Sequence, residues 1–396
     1  VRILFLAQRV PYPPNRGDKI SSWRLLERMG RSHQVKCLAF AHDEADFQAA
    51  EELTAMGYPT RAVPHNATWQ RLRSLPLLAT QTPLTLGVFG SATMKTLVSD
   101  AVEQTDLIYA FSSSMGAFML PYDHLARIMH FAELDSDKWR QYAETRSFPM
   151  SWIYRREHRT LFAFEQRLSR AVEQNVFVTP LEERIFRELI PAARATTLRN
   201  GVDLESFAPR PELSEPNHLV FTGVMDYFPN VDACRFFVTE VLPIIRLEVP
   251  DVRFSIVGSK PTDEVERLAR EAGVTVTGFV DSTADWLARA SVAVAPIRIA
   301  RGIQNKVLEA MAMGLPVVST TTACQGVEGQ AGRDFIVADD APAMARAVCD
   351  LLTDRDVAQN LGKRARRFVE DNYDWEQVFT PLEALLNQAQ ADHKSK

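Results

Sequence analysis

Residues 301–320 read RGIQNKVLEAMAMGLPVVST. An apolar helical run opens after Gly302, and a second glycine, Gly314, closes it. The chain then passes directly into PVVST, a continuous apolar run with the composition of a buried strand. A helix feeding a strand that is apolar on both faces is half of a βαβ unit, so the strand belongs to a parallel sheet covered on both sides.

The same alternation extends outward along the chain. ILFLA, VKCLAF, LIYAF, RIMHFA and NVFVT precede the midpoint; LVFTG, VRFSIVG, VTVTG and VAVAPI lie between it and the quoted stretch. Each run is too continuous for a half-exposed strand, and helical patterns separate them. The expected fold is α/β, with two doubly wound, Rossmann-like parallel-sheet domains. Their boundary falls at LRNGVDLESFAPRPELSEPNH, where Asn200-Gly201 and three prolines mark a linker. The expected organisation is residues 1–199, a linker 200–216, a second domain 217–380, and a C-terminal helix and tail 381–396. Ligands of open α/β sheets bind beyond the carboxyl ends of the strands. Both sets of ends are expected to face one cleft.

A chain of 396 residues is too long for one ordinary core. Its net charge of −5 offers no global basic field, so nucleic acid is not an expected partner. No apolar run is long enough to span a membrane, and VRILFLA reads as a first strand rather than a signal peptide. Cys37, Cys234, Cys324 and Cys349 are scattered without a C-x-x-C pair, which suits a reducing cytoplasm. The histidines form no H-x-x-x-H pair, so no metal site is expected.

The loops after the strands carry the candidate chemistry. Lys306 and Glu309 share one helix face. A lysine at a helix N-terminus opposes the dipole unless an anion lies between, and Gly302 allows a ligand to come close. Diphosphate at Lys306 and ribose at Glu309 is the reading; a surface ion pair is the alternative. In FTGVMDYFPNVDACRFF, Gly223 and the helix start at Asn230 can approach a phosphate or form a plain turn. After the first strand, Arg16, Gly17 and Lys19 precede a helix expected near Ile20 and offer an anion-facing loop or an ordinary βα turn. Glu133, Asp135 and Asp137 cluster after RIMHFA, as substrate-orienting carboxylates or as helix caps. Residues 138–170 hold eight Lys/Arg against three Asp/Glu, with interleaved aromatics. That stretch, with LPLLATQTPLTLGVF, reads as a surface for anionic lipid or as a solvated helix face with its aromatics in the core.

Several of these motifs resemble one family. RNGVDLESFAP is similar to the interdomain linker of retaining GT-B glycosyltransferases of family 4, and NKVLEAMAMGLPVVST to their donor-binding helix and strand. RVPYPPNRGDKISSWRLL, LDSDKWRQYA and ACQGVEG resemble the sugar transferases of PEP-CTERM/exosortase exopolysaccharide systems. The resemblance implies GT-B architecture, a nucleotide-diphosphate-sugar donor on the second domain, and a glycan or lipid-linked acceptor on the first. It implies transfer with retention, no cofactor, and no required metal. It places Lys306 on the donor diphosphate, Glu309 on the ribose and the Gly17 loop at the phosphates and reacting sugar. From the loops and the resemblance together, the expected catalytic residues are Lys306, Asp135 and Glu133, and the expected donor-binding residues are Arg16, Gly17, Gly223, Asn230, Arg301, Gly302, Lys306 and Glu309.

The sequence departs from the pattern at Arg301, where the family often carries the first of two glutamates. The usual Arg and Lys of the loop after the second domain's first strand are also missing from TGVMDYFPN. Arg301 or Arg298 is the expected substitute for that charge. The rival readings are a nucleotide-sugar epimerase on the same fold and a non-catalytic nucleotide-sugar-binding partner. The expected location is cytoplasmic, with peripheral contact at the inner membrane face.

Overall fold

The structure, a computed structural model, describes residues 1–299 and 303–395. Two compact units form: Val1–Arg199 with Phe379–Lys396, and Asn200–Val378. The first holds a seven-stranded sheet and the second a six-stranded sheet.

In the first unit the strands are β1 (Arg2–Ala7), β2 (Gln34–Ala41), β3 (Thr60–Pro64), β4 (Leu107–Phe111), β5 (Ala126–Ala132), β6 (Gln174–Phe177) and β7 (Ala195–Thr197), in the order β3-β2-β1-β4-β5-β6-β7. In the second they are β8 (His218–Thr222), β9 (Arg253–Val257), β10 (Val274–Val276), β11 (Val292–Ala295), β12 (Val317–Ser319) and β13 (Ile336–Val337), in the order β10-β9-β8-β11-β12-β13. Every pairing is parallel. Each order reverses direction once, between β1 and β4 and between β8 and β11. Those reversals are the topological switch points at which doubly wound folds bind ligands.

All ten apolar runs are strands. The three strands outside them, β3, β7 and β13, are sheet edges. An edge strand has one neighbour and stays partly exposed, so TRAVP and ATT never acquire a continuous apolar signature.

The helix after β1 begins at Gly17, not near Ile20, with Arg16 still extended at its N-cap. Asp18 supplies a carboxylate to the first turn, where the helix dipole favours it. The 200–216 segment is fastened to the second unit. Val202 N–H bonds the Tyr373 carbonyl at 2.8 Å, and Arg366 Nη1 bonds the carbonyls of Phe207 at 2.7 Å and Ala312 at 2.6 Å. The C-terminal helix Leu382–Lys394 packs on the first unit, burying Leu385, Leu386 and Ala389 and pairing Glu383 with His33 at 3.0 Å. The four cysteines are buried free thiols. Among the described residues no helix is long and apolar enough to cross a membrane.

Candidate functional site

The site in the second unit is built at its switch point, from the loops after the neighbouring strands β8 and β11. Gly223 follows β8, and its N–H bonds the Val257 carbonyl at 3.0 Å. Gly258 follows β9 with φ +150°, and a Cβ there would lie 1.6 Å from the Gly223 carbonyl oxygen. Only glycine permits two backbones to come this close. Two side chains stand directly over Gly223.

The first is Asn230, 5% exposed, on the helix Phe228–Phe236. Its Nδ2 donates to the Val224 carbonyl at 2.9 Å, which leaves Oδ1 to accept from Lys306 Nζ at 2.6 Å. The second is Lys306, on the helix Asn305–Ala312 after β11. Its ammonium lies 4.5 Å from the centroid of the Phe221 ring. A Cβ on Gly223 would fall 2.7 Å from Asn230 Nδ2 and 3.1 Å from Lys306 Nζ. Gly223, Asn230 and Lys306 are therefore one cluster, with Glu309 one turn further along the lysine's helix. Gln304, at the N-cap of that helix, makes no side-chain capping bond, and the buried Asn305 Oδ1 has no partner among the described residues.

Burial disfavours charge on both titratable groups. It lowers Lys306 to about 8 and raises Glu309 to about 7, each offset in part by attraction to the other. Each residue nonetheless keeps some exposed surface, so the pair borders solvent rather than lying sealed in the core. A desolvated lysine held by a neutral amide and an aromatic face is a cation poised for an incoming anion.

Arg298 does not supply free charge to this cluster. It makes a two-pronged pair with Asp232, Nε to Oδ2 at 3.0 Å and Nη2 to Oδ1 at 2.7 Å, and lies over the Phe236 ring. Arg301 and Gly302 lie outside the described residues.

In the first unit the expected residues divide into two groups around β1, β4 and β5. Arg16 binds Asp18 at 2.6 Å, and Arg9 approaches the same carboxylate at 3.4 Å. Lys19 is buried and bonds Asp46 at 2.7 Å, so it adds no charge to the loop. Gly17 opens the helix and accepts from Ser21 Oγ at 3.1 Å.

The second group is more tightly organised. Ser112 at the end of β4 and Ala132 at the end of β5 hold φ values of +80° and +62°. Such backbones are strained for residues with a Cβ and concentrate at functional sites. They flank Asp135, which accepts a short hydrogen bond from the buried Ser113 hydroxyl. Glu165, fully buried on the helix Met150–Ala171, accepts from the Ser136 N–H at 3.2 Å, while its other oxygen has no hydrogen-bond partner among the described residues. Burial, with the Asp135 charge adding to it, pushes Glu165 well above the usual carboxylate range. His158 Nδ1 lies 2.9 Å from the Ser136 carbonyl. Glu133 is half-buried beside this group. Gln8, after β1, donates to Ser114 at 3.0 Å and ties the two groups together.

Asp135 and Asp137 do not converge, since Asp137 bonds Arg140 at 2.7 Å and Gln141 at 2.9 Å. Among the described residues no three His, Cys, Asp or Glu side chains are grouped to hold a metal ion.

Residues 216–354 match the family model "Glycosyl transferases group 1". The match covers about a third of the chain and lies within the second unit. A GDP-mannose-dependent alpha-(1-6)-phosphatidylinositol monomannoside mannosyltransferase of Mycolicibacterium smegmatis is 30% identical over 219 residues, 50% of this chain and 57% of the relative. The chain spans about half the length of the curated relatives it matches. The fold matches over nearly the whole chain. A sucrose-phosphate synthase from Thermosynechococcus elongatus superposes with a TM-score of 0.73 at 17% identity, covering 98% of this chain and 99% of that one. Anabaena Alr3699/HepE in complex with UDP gives 0.71 at 14%, covering 98% and 100%. The two parallel-sheet units thus have the Rossmann-like fold of these structures, the GT-B architecture.

Phe221, Gly258, Ser113, Glu165 and His158 were not singled out from the sequence. Glu165 looked like one more charge on a basic helix. Phe221 and Gly258 looked like ordinary strand residues, and only VRFSIVG ending in glycine hinted at a close approach.

Proposed function

We propose that the protein transfers a sugar, with retention of configuration, from a nucleotide-diphosphate sugar to a hydroxyl of a glycan or lipid-linked acceptor in exopolysaccharide or cell-surface glycan synthesis. One observation carries the donor assignment: a lysine with a lowered pKa, oriented by Asn230 above the compressed Gly223–Gly258 backbone, at the switch point of a doubly wound sheet. The retaining stereochemistry and the glycan setting rest on the sequence resemblance.

As the glycosidic bond breaks, charge builds on the departing diphosphate. Lys306 and the uncapped helix end are aimed where that charge develops, so their stabilisation grows toward the transition state. Glu309 accepts the ribose hydroxyls. The departing phosphate takes the acceptor's proton, while Asp135, with Glu133 beside it, orients the acceptor hydroxyl.

The test is a panel of nucleotide sugars screened for thermal stabilisation, followed by transfer assays with the best of them. A ligand that binds only the folded state stabilises by about 2.7 kcal/mol at a hundredfold excess over its Kd. Lys306→Ala is expected to remain folded and lose roughly 10²–10³ in transfer rate. Full activity in folded Lys306→Ala would falsify the donor assignment.

A further inference from the structure

The helix Met150–Ala171 carries Trp152, Arg155, Arg156 and Arg159 at positions i, i+3, i+4 and i+7, on one face. Opposite them runs the segment 78–81, and between the two lies a pocket of about 390 Å³. The wall is fixed from the helix side. Arg156, 6% exposed, donates to the carbonyls of Leu77 at 2.5 Å, Leu78 at 3.1 Å, Thr80 at 2.5 Å and Thr82 at 3.0 Å. Glu157 accepts from the N–H groups of Leu84 at 2.7 Å and Thr85 at 2.8 Å. One arginine and one glutamate thus hold the whole strap against the helix.

The other two arginines are left over. Arg155 and Arg159 are exposed and line the pocket, and neither forms a hydrogen bond or ion pair among the described residues. Like charges at i, i+4 repel, so the pair destabilises the helix unless an anion lies between them. Arg156 is already committed: its guanidinium serves the strap carbonyls, and its Nη1 lies 3.6 Å from a Glu157 carboxylate oxygen. Two guanidinium groups facing one cavity suit a phosphate, whose oxygens accept several N–H bonds at once.

The surroundings narrow the ligand further. Of fourteen exposed large apolar side chains among the described residues, six lie in the stretches leading into the pocket walls: Trp69, Leu72 and Leu75 before the strap, Phe148, Met150 and Trp152 at the start of the helix. Residues 67–90 contain Arg71 and Arg73 and no acidic residue. Exposed tryptophans beside unpaired arginines match a membrane interface, where indole rings sit at headgroup level and basic groups meet lipid phosphates.

We propose that this pocket binds the phosphate headgroup of an anionic lipid, with Trp152, Phe148 and Leu75 entering the acyl boundary. The site belongs wholly to the first unit and does not depend on the donor assignment, since binding is measured without turnover.

The experiment is co-sedimentation of the full chain with phosphatidylcholine vesicles, with and without phosphatidylglycerol. Wild type is compared with Arg155→Gln/Arg159→Gln, and with Arg61→Gln/Lys95→Gln, which removes the same charge from exposed positions elsewhere on the unit. Arg156 is left intact because it holds the wall. The expected result is binding to the mixed vesicles that falls about thirtyfold in the pocket variant and stays near wild type in the control variant. Equal binding of wild type and pocket variant, an equal loss in the control, equal binding to pure phosphatidylcholine, or no binding to either vesicle overturns the proposal. A parallel arm adds inorganic pyrophosphate. Thermal stabilisation that disappears in Arg155→Gln/Arg159→Gln, without vesicle binding by wild type, assigns the pocket to a soluble phosphate and overturns the lipid source.

Discussion

Binding of a nucleotide sugar should move protons in opposite directions at two pH values. In the empty site burial holds Lys306 at about 8, below the ordinary lysine value of 10.5. A diphosphate beside the ammonium favours the charged form and raises that pKa again. Near pH 8.5 a lysine of pKa about 8 is roughly one quarter protonated, so restoring it to its ordinary value takes up ~0.75 proton per binding event. Near pH 7 the same lysine is already ~90% protonated and takes up only ~0.1. Glu309, raised by burial to about 7, is then roughly half protonated, and ribose hydroxyls donating to it favour its ionised form. It releases up to ~0.5 proton near pH 7 and almost none near pH 8.5, where it is already ionised. The net is a release of ~0.4 proton near pH 7 and an uptake of ~0.75 near pH 8.5. Calorimetric titration with the nucleotide sugar that most stabilises the protein, in pairs of buffers with different ionisation enthalpies, measures both. An uptake below ~0.2 near pH 8.5 refutes the contact between Lys306 and the diphosphate. Uptake there without release near pH 7 refutes only the ribose role of Glu309. Lys306→Met should abolish the uptake and keep the release.

Gly223→Ala places a Cβ 2.7 Å from Asn230 Nδ2 and 3.1 Å from Lys306 Nζ, so it should weaken nucleotide-sugar affinity at least tenfold. Unchanged affinity measured by calorimetry would show that the cluster does not hold the ligand. Because burial raises the Glu165 pKa on folding, its contribution to stability is lost as pH rises from the ordinary carboxylate range toward its own raised pKa, by at most about 1.4 kcal/mol per pH unit. Glu165→Gln should remove that slope in denaturant unfolding series; an unchanged slope would mean that Glu165 is ionised in the folded protein. Arg156→Met strands the four carbonyls that Arg156 serves and should destabilise by about 3 kcal/mol or more, whereas Arg155→Gln alone should stay within ~0.5 kcal/mol. Equal unfolding midpoints for the two variants would contradict the strap.

Doubly covered strands announce themselves. VAVA, FSIV and LVFT are buried at every position and, Ser255 and Thr222 aside, apolar, because both faces of the sheet are covered. The pairing of Lys306 with Glu309 on one helix face is equally local, since helical geometry alone brings i and i+3 together. Three of the four edge strands, β3, β7 and β13, escaped notice because their burial comes from a single neighbour that the chain does not name. The partners of the site residues are likewise set by the fold. Asn230 reaches Lys306 across 76 positions because β8 and β11 are adjacent in the sheet. Ser113 and Glu165 meet at Asp135 and Ser136 because the helices around β4 and β5 converge there. Arg155, Arg156 and Arg159 look alike in sequence. Only the segment packed against the helix decides that Arg156 holds backbone carbonyls while Arg155 and Arg159 line the pocket, because the acceptors Arg156 finds belong to that segment.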